Sequence, residues 1–95
     1  MTPVWSPQAL DDLAAVRTYI EKDNPAAGQR VALHIIQNVE TLLRDHPEMG
    51  LPGRVSGTRE LVIPGTPFIV PYRLVGKEIQ ILRVFHRARR WPDAF

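Results

Sequence analysis

His86 stands directly before a run of cations, Arg87, Arg89 and Arg90, and Trp91 closes the run. A histidine beside guanidinium groups is a minimal set for cleaving a phosphodiester. The imidazole moves a proton as general base or acid, and Arg83 or Arg87 holds the charge that develops on phosphorus. No second acid–base residue stands beside it, so the same residues read equally as a histidine that caps a sheet edge or binds an acidic partner. Trp91 can stack on a nucleobase or close over a sheet edge. His34 falls on the polar side of a helix with Arg30, Gln37 and Thr41, and His46 ends that helix where a cation is welcome, so neither reads as catalytic. Glu60 has Arg54, Arg59 and Arg83 as candidate partners, in pairs that are ordinarily structural. With no cysteine and no histidine pair at helical or hairpin spacing, no metal or cofactor is expected. The segment GLPGRVSG (50–57) lacks the Lys-Ser/Thr ending of a phosphate loop and does not lead from a strand into a helix.

The charge is unevenly placed. Residues 1–50 hold four basic against seven acidic groups and residues 51–95 eight against three, so the halves carry −3 and +5. Seven of the eight later cations are arginine, whose planar fork suits carboxylates, phosphates and aromatic faces. A polyanion or an acidic protein fits that half; arginines that merely solvate a sheet edge are the plainer alternative. The length of 95 residues and the 44% hydrophobic content point to one domain, residues 1–95, too small for a large internal cavity and held by packing without disulfides. No apolar run reaches membrane-spanning length, and the acidic N-terminal stretch is unlike a signal peptide, so a cytoplasmic protein is expected.

Elements able to position these residues follow from caps and periodicity. Thr2 to Trp5 form a short strand, and Ser6-Pro7 then supplies an N-cap and a first-position proline. Ala9, Leu10, Leu13, Val16 and Ile20 keep helical spacing, Asp11 and Asp12 are placed in the first turns, and Trp5 is placed to staple onto Leu10. Asn24-Pro25 repeats the device for a second helix that Pro47 ends near Asp45 or His46, making a helical hairpin. In that helix Val31, Ala32, Ile35, Ile36, Val39, Leu42 and Leu43 cover an arc of roughly 140°, enough for two neighbours. Residues 47–57 read as a loop. Thr58–Ile63, Thr66–Leu74 and Glu78–Phe85 then read as an antiparallel meander, with an irregularity where Pro71 cannot donate a ladder bond. Alternation puts Ile79, Ile81, Arg83 and Phe85 on one face of the last strand. Apolar residues on both faces imply that the side away from the helices is covered by the tail or by another chain. The fold class is α+β: a short N-terminal strand and an antiparallel helical hairpin packed on an antiparallel three- to four-stranded sheet.

This order resembles the RelE/ParE family of bacterial type II toxins over nearly the whole chain. The resemblance rests on Trp5-Ser6-Pro7 with Ala9 and Leu13, on Tyr19-Ile20 before Asn24-Pro25, and above all on GRVSGTRELVIPGTPFIVPYRL (53–74) and EIQILRVFHRARRWP (78–92). It implies a small toxin neutralised by a cognate, ParD-like antitoxin. Two target classes follow: RelE-like members cut mRNA on the ribosome by 2′-hydroxyl attack, whereas ParE-like members poison DNA gyrase. The ribonuclease branch places cations along the second strand and into the third, where this chain has Val62, Pro64 and Phe68. Arg87 does match an arginine of that branch, and His86 resembles a histidine that some of its members carry. Loss of even one pre-organised charge stabiliser costs ~10²–10³ in rate, so this incomplete set favours the ParE-like reading, without catalysis, over the ribonuclease.

The resemblance also implies a partner surface. An antitoxin segment that is disordered alone would fold as a helix along the apolar grooves and set a strand or acidic tail against the arginine-rich half. The contacts expected for it are Leu13, Val16, Ile20, Val31, Ile35 and Val39 on the hairpin, with Arg59, Arg73 and Arg83. Arg87, Arg89, Arg90 and Trp91 are left to the target.

Overall fold

A computed structural model describes residues 2–95. The chain runs β1 (Pro3–Trp5), α1 (Pro7–Glu21), α2 (Pro25–Asp45), β2 (Leu51–Pro52), β3 (Arg59–Val62), β4 (Phe68–Val75), β5 (Glu78–Ile81) and β6 (Phe85–His86). Both helices start where the sequence caps them. Ser6 Oγ accepts from the Ala9 N–H at 3.0 Å, and Asn24 Oδ1 accepts from the Ala27 N–H at 3.2 Å. Pro47 follows the His46 cap of α2, whose N–H still donates to Leu42. Gly28 lets the helices approach at the base of the hairpin, since a Cβ there would stand 2.7 Å from the Arg17 carbonyl.

Two sequence expectations about α1 are corrected. Its first turn holds no acidic residue, Asp11 and Asp12 lying further along. Trp5 does not staple onto Leu10, which is exposed; its indole N–H donates to Glu40 of α2 at 3.0 Å, tying the N-terminal strand to the second helix.

The helices pack on a mixed sheet. The expected α+β layering holds, with a sheet of six strands, larger than expected, in the order β1-β5-β4-β3-β2 and with β6 also on β4. β1 lies parallel to β5, and the remaining pairs are antiparallel. The 47–57 segment, read as loop, contributes the two-residue β2 against Arg59 and Glu60. The β4–β5 hairpin closes through Gly76-Lys77, and Gly76 takes φ 59°, as a primed turn with glycine first requires. Ala9 and Leu13 of α1 and Ala32, Ile35, Val39 and Leu43 of α2 meet Leu61, Ile63, Val70, Tyr72, Ile79, Ile81 and Val84 in one core. Each large aliphatic residue buried there contributes about 1.5–3 kcal/mol before entropy is charged against it.

Pro71 sets the local geometry of the future site. β4 pairs with β5 from Tyr72 to Val75 and with β6 at Phe68 and Ile69. Between these ladders Leu82, Arg83 and Val84 oppose only Val70 and Pro71, so the last run carries one extra residue and splits in two. The irregularity expected in the proline strand is thus displaced onto its neighbour, where Leu82 still donates to the Pro71 carbonyl at 3.0 Å. The extra residue shifts the alternation. Val84 joins Ile79 and Ile81 in the helix-side core, while Phe85, expected on that side, is buried outside it.

Candidate functional site

The strand break opens a groove of about 630 Å³ between α1, the β3–β4 turn and the start of β6. Its walls are Ala15, Val16, Tyr19 and Ile20 of α1, Val31 of α2, and Gly65 to Phe68 of the turn; Asp12, Arg83 to His86 and Arg89 complete it. The turn wall is anchored by His34, whose Nε2 lies 2.8 Å from the Pro64 carbonyl. Val16, Ile20 and Val31 are half-buried and Tyr19 is exposed, so the groove presents apolar surface to solvent.

Asp12 organises the floor. Its Oδ2 accepts from Arg83 Nε at 2.7 Å and from the Val84 N–H at 3.0 Å, while Oδ1 accepts from Arg83 Nη2 at 2.9 Å. The carboxylate therefore satisfies a backbone donor freed by the bulge and clamps the adjacent guanidinium as a fork. The bond to Asp12 raises the Arg83 pKa further above its already high value, so this cation stays charged.

Around Phe85 the face of the sheet away from the helices is covered by the tail, one of the two covers expected, while Val4, Val62 and Val75 stay exposed. Trp91 meets Phe85 edge-on at 5.1 Å and Phe95 stacks on it at 6.1 Å. Arg83 and Arg89 place guanidinium carbons 4.6 and 4.1 Å from the Phe85 centroid, and Arg54 lies 4.0 Å from the Trp91 ring. Arg54 also holds buried Glu60, its N–H donating to Oε2 at 2.7 Å and its Nε lying 3.4 Å from Oε1.

The candidate catalytic residues separate. His86 is exposed, edge-on to Phe68 at 5.7 Å, and its Nδ1 accepts the Ala88 N–H at 3.0 Å. It shares the groove with Arg83, but Arg87 does not line it; its backbone N–H donates to the Pro67 carbonyl. Of the residues expected to touch an antitoxin, Val16, Ile20, Val31 and Arg83 line the groove. Leu13, Ile35 and Val39 do not: they sit in the core, out of a partner's reach, because α2 uses its stripe against the sheet. Arg59 lies elsewhere and donates to the Glu48 and Gly50 carbonyls at 3.0 and 3.1 Å. Arg73 buries its Nε without an acceptor among the described residues. Arg89 reaches the groove, whereas Arg90 is exposed and Trp91 is taken into the tail's packing. Among the described residues no three histidine or carboxylate side chains converge.

Asp12 is the residue that sequence reasoning missed. Its signal was its place on the stripe Asp12, Val16, Tyr19 and Ile20, an acid at helical spacing from apolar neighbours.

Comparison with known proteins adds to this geometry. Residues 4–91 match the family model described as the ParE toxin of the type II toxin–antitoxin system parDE. The chain is 42% identical over 89 residues to the Y4kP protein of Sinorhizobium fredii, covering 94% of this chain and 91% of that one. It is 34% identical over 86 residues to toxin RelE2 of Caulobacter vibrioides, covering 90% and 94%. A solved structure described as the chromosomal ParDE system from P. aeruginosa superposes with a TM-score of 0.84 at 31% identity, over 90% of this chain and 95% of that one. No described helix is long and apolar enough to cross a membrane.

Proposed function

Because this chain belongs to the ParE toxin family of type II toxin–antitoxin systems, we propose that its cognate antitoxin silences it by docking in the groove, and that the freed protein poisons DNA gyrase without catalysis of its own. The observation that supports a toxin without catalysis is the state of the candidate catalytic set. Arg83 is engaged through Nε and Nη2 by Asp12, His86 has Nδ1 occupied by Ala88, and Arg87 stands outside the groove. Cleavage by 2′-hydroxyl attack needs one group to take the hydroxyl proton and another to protonate the leaving oxygen, and in the groove His86 has no second histidine or free carboxylate beside it, since Asp12 is held by Arg83 and the Val84 N–H. A gyrase target and an antitoxin partner would both put its action in the cytoplasm.

The antitoxin reading draws on the same surface. Exposed Tyr19 and half-buried Val16, Ile20 and Val31 suit an amphipathic helix with apolar anchors at three- and four-residue spacing. The basic second half of the chain suits an acidic partner and would speed its approach. Purified protein incubated with gyrase, ATP and supercoiled plasmid is expected to accumulate cleaved DNA. Unaltered supercoiling at high excess refutes the gyrase reading.

One observation favours a second reading, ribosome-dependent mRNA cleavage: His86, Arg83 and Arg89 do share the groove. That reading requires His86→Ala to abolish toxicity and message decay in induced cells. Full toxicity with intact message in both His86→Ala and Arg87→Ala excludes it.

A further inference from the structure

The groove offers hydrogen-bond donors but no free carboxylate. Arg83, His86 and Arg89 line it beside Val16, Ile20 and Phe68. Its one acid, Asp12, has both oxygens engaged by Arg83 and the Val84 N–H. Arg83 Nη1 makes no hydrogen bond among the described residues, because the fork uses Nε and Nη2. Since His86 Nδ1 accepts from Ala88, that hydrogen bond assigns the ring proton to Nε2, which is then a donor. Arg89 forms no ion pair among the described residues; its Nη1 reaches only the Arg90 carbonyl, at 3.3 Å. Arg83 and Arg89 stand over the same Phe85 ring, at 4.6 and 4.1 Å. The two guanidinium groups share one aromatic ring, but the groove's one carboxylate pairs with Arg83 alone, so a positive charge is left without a counter-charge beside an apolar wall.

The geometry points to an anion subsite in the groove, formed by Arg83 Nη1, His86 Nε2 and Arg89, that takes a single carboxylate carried on the partner's apolar helix. Asp12 is its positioning residue: it fixes the guanidinium plane of Arg83 to α1 and to the backbone that enters β6. This deepens, and rests on, the reading that an antitoxin helix fills the groove. A carboxylate on a peptide fits better than a nucleic-acid backbone. The walls are largely apolar, a nucleic-acid strand brings a charge at every nucleotide, and the further tail cations Arg87 and Arg90 lie outside the groove.

The test uses the full-length cognate ParD-like antitoxin, with each acid of its docking helix changed in turn to the amide. Affinity is measured for wild-type toxin and for Arg89→Ala, Asp12→Asn and Asp12→Glu. One amide change is expected to weaken binding about tenfold against wild type but less than about twofold against Arg89→Ala or Asp12→Asn, with the coupling restored in Asp12→Glu. A purely structural role for Asp12 would lower stability without touching that coupling. Arg89 is exposed on the tail, so Arg89→Ala keeps its fold and decides the matter if Asp12→Asn unfolds. Equal costs of every amide change on wild type and Arg89→Ala overturn the subsite. Undiminished binding by Val16→Asp and Ile20→Asp overturns instead the groove reading beneath it. An RNA oligonucleotide whose binding falls in Arg89→Ala while antitoxin binding does not reassigns the subsite to phosphate and overturns the carboxylate.

Discussion

The helix side of the sheet and the patch around Phe85 on its other side are covered by different chemistry. Toward the helices, Ile35, Val39, Leu43, Ile79 and Ile81 are wholly buried, and aliphatic carbon meets aliphatic carbon. On the other face Ile69 and Phe85 lie outside that core, and the cover over Phe85 is Trp91, Phe95 and the guanidinium groups of Arg83 and Arg89. The donor Trp91 Nε1 is buried there without an acceptor among the described residues. An unsatisfied buried donor costs about 1–3 kcal/mol, and a cation–π contact returns about 0.5–1 kcal/mol at an exposed site. The helix side therefore carries the stability. The tail side holds cations in place at modest cost, which suits the partner surface proposed for the groove.

The sharpest test of that division is a matched pair of truncations. Ile35→Ala is expected to cost about 2–5 kcal/mol in denaturant unfolding, since the cavity it opens between α2 and the sheet cannot close. Phe95→Ala, at the exposed end of the tail, is expected to cost under about 1 kcal/mol. Equal losses would mean that the two faces share the work.

The same division marks what was legible in the sequence. Caps at Ser6 and Asn24, first-position prolines and the aliphatic stripe of α2 are local signals, and they fixed both helices. The strands were legible as runs but not in phase, because the effect of Pro71 falls on Leu82 to Val84, residues it meets only across the ladder. That one-residue shift moved Phe85 out of the core and brought the Val84 N–H to Asp12. The site was half legible. Val16, Ile20, Val31 and Arg83 were expected at a partner surface and line the groove, whereas Ile35 and Val39 share their stripe but face the sheet, a distinction periodicity cannot make. Arginine on an aromatic ring leaves no pattern along the chain, so the pairing of Arg54 with Trp91 had no sequence signal.

Tyr72 marks where the helix-side core meets a loop. Its hydroxyl accepts from the Gly50 N–H at 2.9 Å and donates to the Pro47 carbonyl at 2.8 Å. Tyr72→Phe orphans both groups and is expected to cost about 1–3 kcal/mol. Burial raises the Tyr72 pKa above its usual value, because the phenolate would be desolvated. The folded state therefore favours the neutral form. This stability is fully present below the unfolded tyrosine pKa of about 10 and is lost as pH rises through the higher folded value. Unfolding titrations from neutral to strongly alkaline pH should show the wild type losing stability more steeply than Tyr72→Phe; parallel profiles would contradict this.

The Asp12 clamp joins the two faces, and its loss should lie between the extremes. Asp12→Ala leaves the Val84 N–H and Arg83 without their acceptor. A cost of about 1–2 kcal/mol is expected, reduced from that of a fully buried pair because both side chains keep some solvent contact. Adding Arg83→Met should recover part of that loss, since the unpaired cation is then gone. No recovery would indicate that the carboxylate acts mainly through the backbone.

The smallest expected effect is the most direct probe of the tail side. Arg54→Ala keeps the backbone N–H that Glu60 accepts and removes only a half-exposed ion pair at 3.4 Å and a cation over Trp91. A loss of about 0.5–1 kcal/mol is expected, with Trp91 emission shifting to longer wavelength as its ring face meets water, read in a Trp5→Phe background. Coupling between Arg54→Ala and Trp91→Phe should stay within about 0.5–1 kcal/mol. A loss as large as that of Ile35→Ala would instead make the arginine–aromatic layer a second core. The tail would then be too firmly held to serve as a surface for partners.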